Sequence, residues 1–398
     1  PMSARRQRQM CIRDSSNGFD IIFTLPDCTT PLSYQIEDYD PVTGDLIVWV
    51  RVPVLSASMN TRIFMYYGNS SVSSDQSSAT TWTSNYEGVW HMDNDPSSST
   101  LTDYSGNGVN GTAFGGMTSS DLVTGKLGDA IDFDGANDYF ALASKFYTNS
   151  GEIPQLTISA WINTTFTNTS MSSNWSILDF DRSEYFNMFI HGDGRLGFST
   201  RAGGINDSYA GAVGDLNDGN WHHVVGVFNG ANKLLYIDGA LALTVTNPHG
   251  GVALGTGANR FGFIGDGSEA TSFNGARNNR YYDGMYDEIR FLNTSLSSDW
   301  IATEFSNQNN PAGFYTLAEE QSANDLCLLL PVEFGTLHAK LTSQRSVDIT
   351  WNTVTEVNSD YFEVLRSGDG MTWEVLDIVN GAGHSCLLYT SPSPRDDR

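Results

Sequence analysis

The sequence has few cysteines, few basic residues and no long apolar run. Four cysteines among 398 residues do not make a disulfide framework, and we expect Cys28 and Cys327 to be free or buried thiols. The longest apolar stretch, LCLLLPV, is far shorter than the roughly 18 residues of a membrane helix, so no membrane insertion is expected. Lys and Arg number 21 against 46 Asp and Glu, a net charge of −25. Such a surface repels phosphate backbones, which argues against a nucleic-acid partner and favours divalent cations.

Glycine, aromatic residues and short alternating segments are abundant instead. LTISAWIN (156–163) places Leu156 and Ile158 on one face and polar residues on the other, which is typical of a strand. Asp238-Gly239 separates two apolar stretches and predicts a hairpin turn, and Asp193-Gly194 predicts another. One helix is predicted at 295–305. The pattern predicts an all-β protein, an antiparallel β-sandwich of the jelly-roll type.

The two ends differ from the rest of the chain. RRQRQMCIRD (5–14) and CLLYTSPSPRD (386–396) resemble the translated tails of a pair of sequencing adapters. We therefore interpret residues 1–15 and 385–398 as adapter-like scars that contribute nothing to the fold.

The central region carries a series of ordered motifs. They are GVWHMDND (88–95), DYSGNGVNGT (103–112), GKLGDAIDFDGANDYF (125–140), LTISAWI (156–162), WHHVVGVFNG (221–230), LYIDG (235–239) and YDEIRFLNTSLSSDWI (286–301). In this order and spacing they resemble the LamG-like jelly roll of the concanavalin A-like lectin/glucanase superfamily, over residues 87–321. The resemblance implies a concanavalin A-like fold, which hosts lectins, enzymes and plain spacers.

The flanking regions resemble other bacterial modules. Residues 16–80 resemble the C-terminal part of a domain of unknown function that commonly precedes such jelly rolls, on the strength of NGFDIIFT and YQIEDYDPVTGDLIVWV. Residues 328–384 resemble a truncated fibronectin-III-like module of Bacteroidetes-type surface proteins. These resemblances imply a secreted or cell-surface location in a bacterium.

One local pattern bears on catalysis. Laminarinase-type glycosidases carry E-x-D-x-x-E on one strand, and the nearest match here is Asp179, Asp181 and Glu184. The Asp at the first position shortens the nucleophile by about one methylene, although a retaining mechanism needs its carboxyl groups about 5–5.5 Å apart. We predict a charged strand edge, no catalytic residue and no enzyme. His222 and His223 lack a third ligand at metal spacing and are predicted to be structural rather than zinc ligands.

Calcium is the one cofactor that the resemblance implies. Jelly rolls of this superfamily often hold a structural calcium between the first and last strands, and Asp287 opens the last strand. Asp103 and Asp93 lie in Asp/Asn/Gly loops that could supply further oxygens, of which Ca²⁺ takes six to eight. In the alternative interpretation, Asp287 caps a turn.

Sugar binding needs an aromatic face beside planar polar groups. The candidates in polar, loop-like contexts are Tyr185, Arg201, Tyr209, Arg280, Tyr281 and Tyr282. The predicted function is a non-catalytic extracellular binding module for a glycan or a surface protein, with its oligomeric state left open. The alternatives are a structural spacer or adhesin segment without a ligand pocket, and a laminarinase-like glycosidase.

Overall fold

The computed structural model describes residues 2–3, 16–56, 60–69, 71–143, 150–167, 174–318, 320, 332–341, 347–368, 372–385 and 389–390. The strands are β1 (Met2–Ser3), β2 (Ile22–Thr24), β3 (Tyr34–Tyr39), β4 (Leu46–Val50), β5 (Phe64–Tyr66), β6 (Tyr86–Trp90), β7 (Thr100–Leu101), β8 (Gly111–Phe114), β9 (Leu122–Thr124), β10 (Asp129–Asp134), β11 (Tyr139–Leu142), β12 (Ser150–Ile153), β13 (Leu156–Asn163), β14 (Asn174–Asp179), β15 (Phe186–His191), β16 (Leu196–Ala202), β17 (Gly204–Ala210), β18 (His222–Phe228), β19 (Asn232–Ile237), β20 (Ala240–Thr246), β21 (Leu254–Thr256), β22 (Phe263–Ile264), β23 (Asp283–Leu292), β24 (Val332–Leu341), β25 (Val347–Arg366), β26 (Glu374–Ser385) and β27 (Tyr389–Thr390). The helices are α1 (Ser298–Asn309) and α2 (Pro311–Phe314), with 3₁₀ turns at Ala79–Thr81, Pro96–Ser98 and Ser119–Asp121.

Two eight-stranded antiparallel sheets form the sandwich, which confirms the predicted fold class. The first sheet has the order β20-β19-β18-β13-β23-β10-β9, with β6 also paired to β23. The second sheet has the order β17-β16-β15-β14-β22-β11-β8-β7. Their facing sides share one apolar core, to which β13 contributes Leu156 and Ile158 and the second sheet contributes Met188 and Phe198. Alternation along each strand therefore sends every second side chain inward.

The predicted turns and helix are present. β19 and β20 pair across Asp238 and Gly239, which both adopt the positive φ that a two-residue hairpin turn needs. β15 and β16 pair across the turn at Asp193-Gly194. The predicted helix begins at Ser298, where the Ser297 side chain accepts a hydrogen bond from the Trp300 amide, and it extends to Asn309.

An N-terminal hairpin of β3 and β4 packs with the first sheet on the side away from the core. Its Trp49 belongs to a second apolar cluster with Trp82, Val89, Leu127 and Leu292. Residues 1–23, 32–61 and 67–316 accordingly form one compact unit. The predicted limits of 16–80 and 87–321 divide this unit, because the sequence alone does not show that the hairpin covers the sheet.

The other compact unit comprises residues 24–31, 62–66 and 317–398. Its strands β24, β25, β26 and β27 form an antiparallel sheet. The predicted adapter-like segments lie mostly outside the described residues; Met2–Ser3 pairs with β4, and Ser385 and Tyr389–Thr390 are described at the other end. No helix in the described ranges is long and apolar enough to cross a bilayer.

Candidate functional site

A β-bulge in β23 gathers charged residues on the outer side of the first sheet. Glu288 has φ 52°, and the pairing of β23 with β13 shifts between Ser159 and Trp161. Tyr286 and Ile289 enter the core, so the extra residue leaves Asp287 and Glu288 together on the opposite side. A regular strand would have separated them.

The outer side of the first sheet holds what we call the buried charge cluster: Glu37, His91, Glu288, Arg290 and Glu304. His91 Nδ1 lies 2.7 Å from Glu288 Oε1 and 3.3 Å from Glu37 Oε2. Arg290 forms hydrogen bonds to both Glu288 and Glu304. These five side chains are at most 7% exposed. One imidazole and two carboxylates at this spacing could in principle hold a metal ion.

Hydrogen bonding around His91 favours a proton rather than a metal. Trp82 Nε1 donates to Gln35 Oε1 over 2.5 Å, so the Gln35 amide nitrogen faces His91 Nε2 at 3.1 Å as a donor. His91 Nε2 is then the acceptor, and Nδ1 carries the proton that it donates to Glu288. A metal ion on Nδ1 would displace this proton to Nε2. The Gln35 amide would then have to turn its oxygen to His91, and its nitrogen would face the Trp82 N–H donor. The arrangement is therefore a hydrogen-bond network that joins β3 to β23.

The two acids beside His91 differ in acidity. Burial, with the nearby charges of Glu288 and Asp287, raises the pKa of Glu37 well above its usual value and so favours its neutral form. Burial also opposes ionisation of Glu288, but His91 and Arg290 outweigh it and lower the pKa of Glu288 to about 2. The two acids that flank the same imidazole therefore have pKa values shifted in opposite directions.

The predicted calcium ligands occupy different environments. Asp287 is fully buried, and its Oδ2 accepts a hydrogen bond from the Leu127 amide over 2.8 Å, which holds the 125–128 loop. Asp93 accepts a hydrogen bond from the Tyr104 hydroxyl over 3.0 Å. Asp287 Oδ1 and Asp93 Oδ1 are buried without a hydrogen-bond partner in the described part of the chain. Each of these two side chains thus has an oxygen without a hydrogen-bond partner, and calcium binding by them stays a prediction.

Asp103 does not offer a free oxygen. Its Oδ1 accepts from the amides of Val89 and Ser105, and its Oδ2 accepts from the Val109 amide and the Ser105 hydroxyl. Asp103 thus fastens its loop to β6, as an Asx-type cap does.

Two of the predicted sugar ligands lie in the core. Tyr185 and Tyr282 are each 1% exposed. The Tyr185 hydroxyl donates to the Ala258 carbonyl, and the Tyr282 ring stacks on Tyr286 with centroids 3.9 Å apart. The prediction that both tyrosines lie in polar, loop-like surroundings is wrong. The polar residues that precede them in the sequence do not show that the two side chains point inward.

Polar side chains cross four neighbouring strands on the outer side of the second sheet. Asp179, Asn187, Ser199 and Asp207 lie opposite one another on β14, β15, β16 and β17, and we call them the polar row. Asn187 Nδ2 donates to Asp179 Oδ2 over 2.8 Å, and Ser199 Oγ donates to Asp207 Oδ1 over 2.5 Å. The first three are buried, whereas the Asp207 side chain is 30% exposed. The row is a set of planar and hydroxyl groups that opens to solvent at one end.

Burial weakens the acidity of Asp179 at the closed end of the row. Burial, with the charges of Asp181 and Asp266, raises its pKa well above the usual value for an aspartate. The neutral form of the carboxyl group, which burial favours, can both donate and accept a hydrogen bond.

An aromatic patch lies beside the row. Tyr209 on β17 is opposite Gly197 and makes edge contacts with Phe189 and His191, with centroids 5.9 and 5.0 Å apart. The Arg195 guanidinium lies 5.2 Å from the Tyr209 ring centroid. Only glycine fits at 197, because a Cβ there would come within 2.2 Å of the Phe189 ring. Tyr209 is half-buried.

The other three predicted ligands border the same face. Arg201 lies on β16 two residues after Ser199 and is half-buried. Arg280 accepts a hydrogen bond from the Ser176 amide on β14 at its carbonyl oxygen, and its side chain and Asp179 both adjoin Gly267. The Tyr281 hydroxyl donates to Asn279 and stands beside the Arg277 guanidinium. Arg201, Tyr209 and Arg280 are therefore brought to the polar row.

The three carboxylates of the glycosidase-like pattern do not share one strand. β14 ends at Asp179, and Asp181 has φ 68° in the turn that follows. Asp181 and Glu184 both form ion pairs with Arg260, at 2.5 and 3.4 Å. In the structure this stretch is a strand end followed by an ion-paired turn.

The two neighbouring histidines also have structural surroundings. His222 forms ion pairs with Asp238 at 2.9 Å and Asp218 at 3.2 Å. His223 is fully buried, and burial lowers its pKa.

Sequence reasoning missed most of both charged regions. The row residues Asn187, Ser199 and Asp207 lie at outward-facing positions of their strands. The alternation within FNMFIH and LGFSTRA could therefore have revealed the row. No comparable signal existed for Glu37 and His91, which lie far from Glu288 in sequence.

Two parts of the chain match family models. Residues 134–302 match the concanavalin A-like lectin/glucanases superfamily, and residues 17–100 match a domain of unknown function, DUF2341. No curated protein sequence matches significantly.

Several solved structures are similar overall. The binding domain of Paraclostridial Mosquitocidal Protein 1 has 13% identity and a TM-score of 0.44, covering 75% of this chain and 67% of that one. Domain 4 of an extracellular arabinanase from Geobacillus stearothermophilus, in complex with arabinotriose, has 19% identity and a TM-score of 0.40, covering 55% and 97%. The binding domain of botulinum neurotoxin DC, in complex with SialylT, has 13% identity and a TM-score of 0.41, covering 56% and 51%.

Proposed function

Because residues 134–302 form a concanavalin A-like lectin/glucanase domain that follows a DUF2341 segment, we propose that this chain is a non-catalytic carbohydrate-binding module. Its ligand lies on the outer side of the second sheet, at the open end of the polar row beside Tyr209. The protein acts outside the bacterial cell or on its surface, where such glycans occur.

The observation that carries this proposal is the polar row beside Tyr209. Sugar hydroxyls pair with carboxyl groups, and Asp207 supplies one at the open end of the row, where its side chain is 30% exposed. The buried groups of Asn187 and Asp179 stand in register behind it and hold that end of the sheet in place. The apolar side of a pyranose ring packs on an aromatic face, which Tyr209 supplies. A few well-placed polar groups beside an aromatic surface are what small-molecule sites commonly contain.

The outer side of the first sheet is a poor alternative. Its charged residues are covered, with Glu288 and Arg290 at most 2% exposed. A ligand could reach them only after the hairpin of β3 and β4 had left the sheet.

The experiment uses the full chain on a glycan array, followed by calorimetry with the glycan that binds. Tyr209→Ala is expected to weaken binding about tenfold, the equivalent of 1.4 kcal/mol, with the melting temperature preserved because the ring is only half-buried. The matched control is Tyr361→Ala, which removes an exposed tyrosine of the other compact unit.

Equal losses from the two substitutions would contradict the proposed site. Failure to bind any glycan would leave a structural spacer as the better description. Hydrolysis of a glucan that Glu184→Gln abolishes would instead make the chain an enzyme.

A further inference from the structure

A second aromatic surface lies on the outer side of the second sheet, on strands distant from Tyr209. Tyr139 on β11 points away from the core, because the next residue, Phe140, enters it. The Phe114 ring on β8 stacks on Tyr139, with centroids 5.2 Å apart and planes that differ by 12°. The site proposed at Tyr209 does not use these rings.

The loop that follows β22 adds two more rings to this surface. The Phe273 ring centroid lies 6.5 Å from that of Phe114. The Tyr281 ring centroid lies 6.3 Å from that of Tyr139. We call these four rings the loop platform. Phe273 is 44% exposed, and Phe114 and Tyr281 are half-buried. A contiguous exposed apolar surface with a polar border is typical of a binding site.

A buried aspartate holds this loop in place. Asp266 is fully buried, and its Oδ1 accepts hydrogen bonds from the Gly267 and Arg280 amides over 2.6 and 2.5 Å. Its Oδ2 lies 3.2 Å from Arg277 Nη1, and Ser268 pairs with Arg277 across the loop. Because the loop is paired internally, a ligand does not have to order it on binding.

Two asparagines of the loop carry free amide N–H groups beside the rings. The Tyr139 hydroxyl donates to Asn274 Oδ1 over 3.0 Å. The Tyr281 hydroxyl donates to Asn279 Oδ1 over 3.1 Å. Within the part of the chain that the structure describes, neither Nδ2 has a hydrogen-bond partner. Since a tyrosine engages the oxygen of each amide, its two N–H groups are left for a ligand and point in a fixed direction.

Arg277 borders the same surface. Its guanidinium lies 3.8 Å from the Tyr139 ring centroid, and its Nη1 lies 3.4 Å from the Tyr281 hydroxyl. Stacking on the ring fixes the plane of the guanidinium. The ion pair with Asp266 offsets the charge of Arg277. The surface therefore suits an uncharged ligand.

Aromatic rings beside amide N–H groups match the two kinds of surface that a sugar offers. The apolar side of a pyranose ring packs on an aromatic face. Its hydroxyl oxygens accept hydrogen bonds from amide groups. The loop platform therefore suits a neutral glycan, the ligand class proposed for the site at Tyr209.

The loop platform and the site at Tyr209 lie on the same side of one sheet, toward its opposite edges. Tyr209 is on β17 and Phe114 is on β8, six strand spacings away. At about 4.8 Å per spacing, the two surfaces are about 29 Å apart along the sheet. An oligosaccharide shorter than this distance contacts only one of them, whereas a longer chain can contact both.

We propose that the loop platform is a second glycan-binding surface, and that the ligand of this protein is a polysaccharide chain that contacts both surfaces at once. This inference rests on the proposed carbohydrate-binding function. Two linked contacts bind more tightly than either alone, because binding at one surface raises the effective concentration of ligand at the other. A terminal sugar or a short oligosaccharide would gain nothing from the second surface.

The test measures how binding depends on the length of the ligand. The full chain is titrated by calorimetry with the trisaccharides of laminarin, xylan, arabinan and galactan. Parallel titrations use fractions of the same glycans whose chains are longer than the distance between the two surfaces. For the glycan that binds, we expect the dissociation constant of the long chains to be at least tenfold lower than that of the trisaccharide.

The variants assign this gain to the loop platform. Phe273→Ala is expected to remove most of the gain and to retain trisaccharide binding at Tyr209, with the melting temperature preserved because the ring is partly exposed. Asn279→Gly removes one amide, and glycine adopts its φ of 56° without strain, so this variant should remove part of the gain. The matched control is Trp373→Ala, which removes an exposed aromatic residue of the other compact unit and should leave the gain unchanged.

The outcomes separate this inference from the proposed function. Equal affinity for short and long chains, weakened by Tyr209→Ala, would overturn the second surface and retain the carbohydrate site. A gain with length that survives both Phe273→Ala and Asn279→Gly would also overturn the inference. Binding to no trisaccharide, no longer chain and no array glycan would contradict the proposed function, and this inference with it.

Discussion

The two sheets carry charged residues on their outer sides, but only the second sheet leaves some of them accessible. On the first sheet, Glu288 and Arg290 are sealed under a hairpin. On the second sheet, the polar row has a buried floor, yet Arg182 and Asp207 keep 41% and 30% of their side-chain surface exposed. Charge on a sheet therefore indicates a ligand site only when nothing else in the chain covers it. The first arrangement serves stability, and we assign the second to binding.

The largest contrast is expected between the arginines of the two faces. Arg290→Met leaves Glu288 and Glu304 buried without their cation and should lower the free energy of unfolding by about 3–5 kcal/mol. Arg195→Met removes a partly exposed pair with Asp193 and should cost at most about 1 kcal/mol. Urea denaturation of both variants measures the difference. Similar losses would show that the two faces do not differ in this way.

Asp287 tests whether the covered face also holds a cation. Asp287→Ala leaves the Leu127 amide without its acceptor and should cost about 1–3 kcal/mol even in EDTA. Calcium bound by Asp287 and Asp93 would add about 2.7 kcal/mol to the wild type at 100 times its dissociation constant. We expect millimolar calcium to raise the melting temperature of the wild type and not of the variant. Identical wild-type melts in EDTA and calcium would make Asp287 a loop cap alone.

Asp179 tests the comparison through the pH dependence of the stability of the protein. Its folded-state pKa lies above the unfolded value near 3.9, so the folded state holds a proton that the unfolded chain releases. The wild type therefore loses stability from this group as pH rises above about 4 toward the raised pKa. Asp179→Asn cannot ionise and should become more stable relative to the wild type over that interval. A difference independent of pH, from denaturation at pH 4 to 8, would mean that Asp179 is charged.

A second pH effect is expected at Lys233, which lies between the two sheets. Burial lowers the pKa of Lys233 to about 7, below the unfolded value of about 10.4. The unfolded chain binds more protons between these values, so stability should rise with pH from about 7 to 10. Lys233→Met should abolish that rise, although it leaves the Phe198 and Asn206 carbonyls without a donor. Parallel pH profiles of both proteins would contradict the assignment.

The strands were predictable from sequence because alternation is local. LTISAWIN forms β13, and Asp238-Gly239 forms the turn between β19 and β20. Arg201, Tyr209 and Arg280 were found by residue type and do border one face. Their proximity could not be predicted, since it depends on which strands become neighbours.

Other features depended on long-range structure. The bulge at Glu288 shifts the alternation of β23 by one residue and places Asp287 and Glu288 on the same side. No local sequence pattern predicts such a bulge. Glu37 and His91 meet Glu288 only because β3 and β6 lie against β23. Tyr185 and Tyr282 were misplaced because polar neighbours in sequence do not report the direction of a side chain in a packed sandwich.

The hairpin of β3 and β4 has a consequence for how such a gene can recombine. A jelly roll that began at Glu87 would inherit Glu288 and Arg290 without Glu37 and Trp49, the residues that cover them. Its Val89 and Leu292 would lose the tryptophan that shields them. Recombination within residues 50–87 would therefore give a stable protein only when the hairpin and the jelly roll come from sequences whose contact residues match. We expect the two family segments to be inherited together.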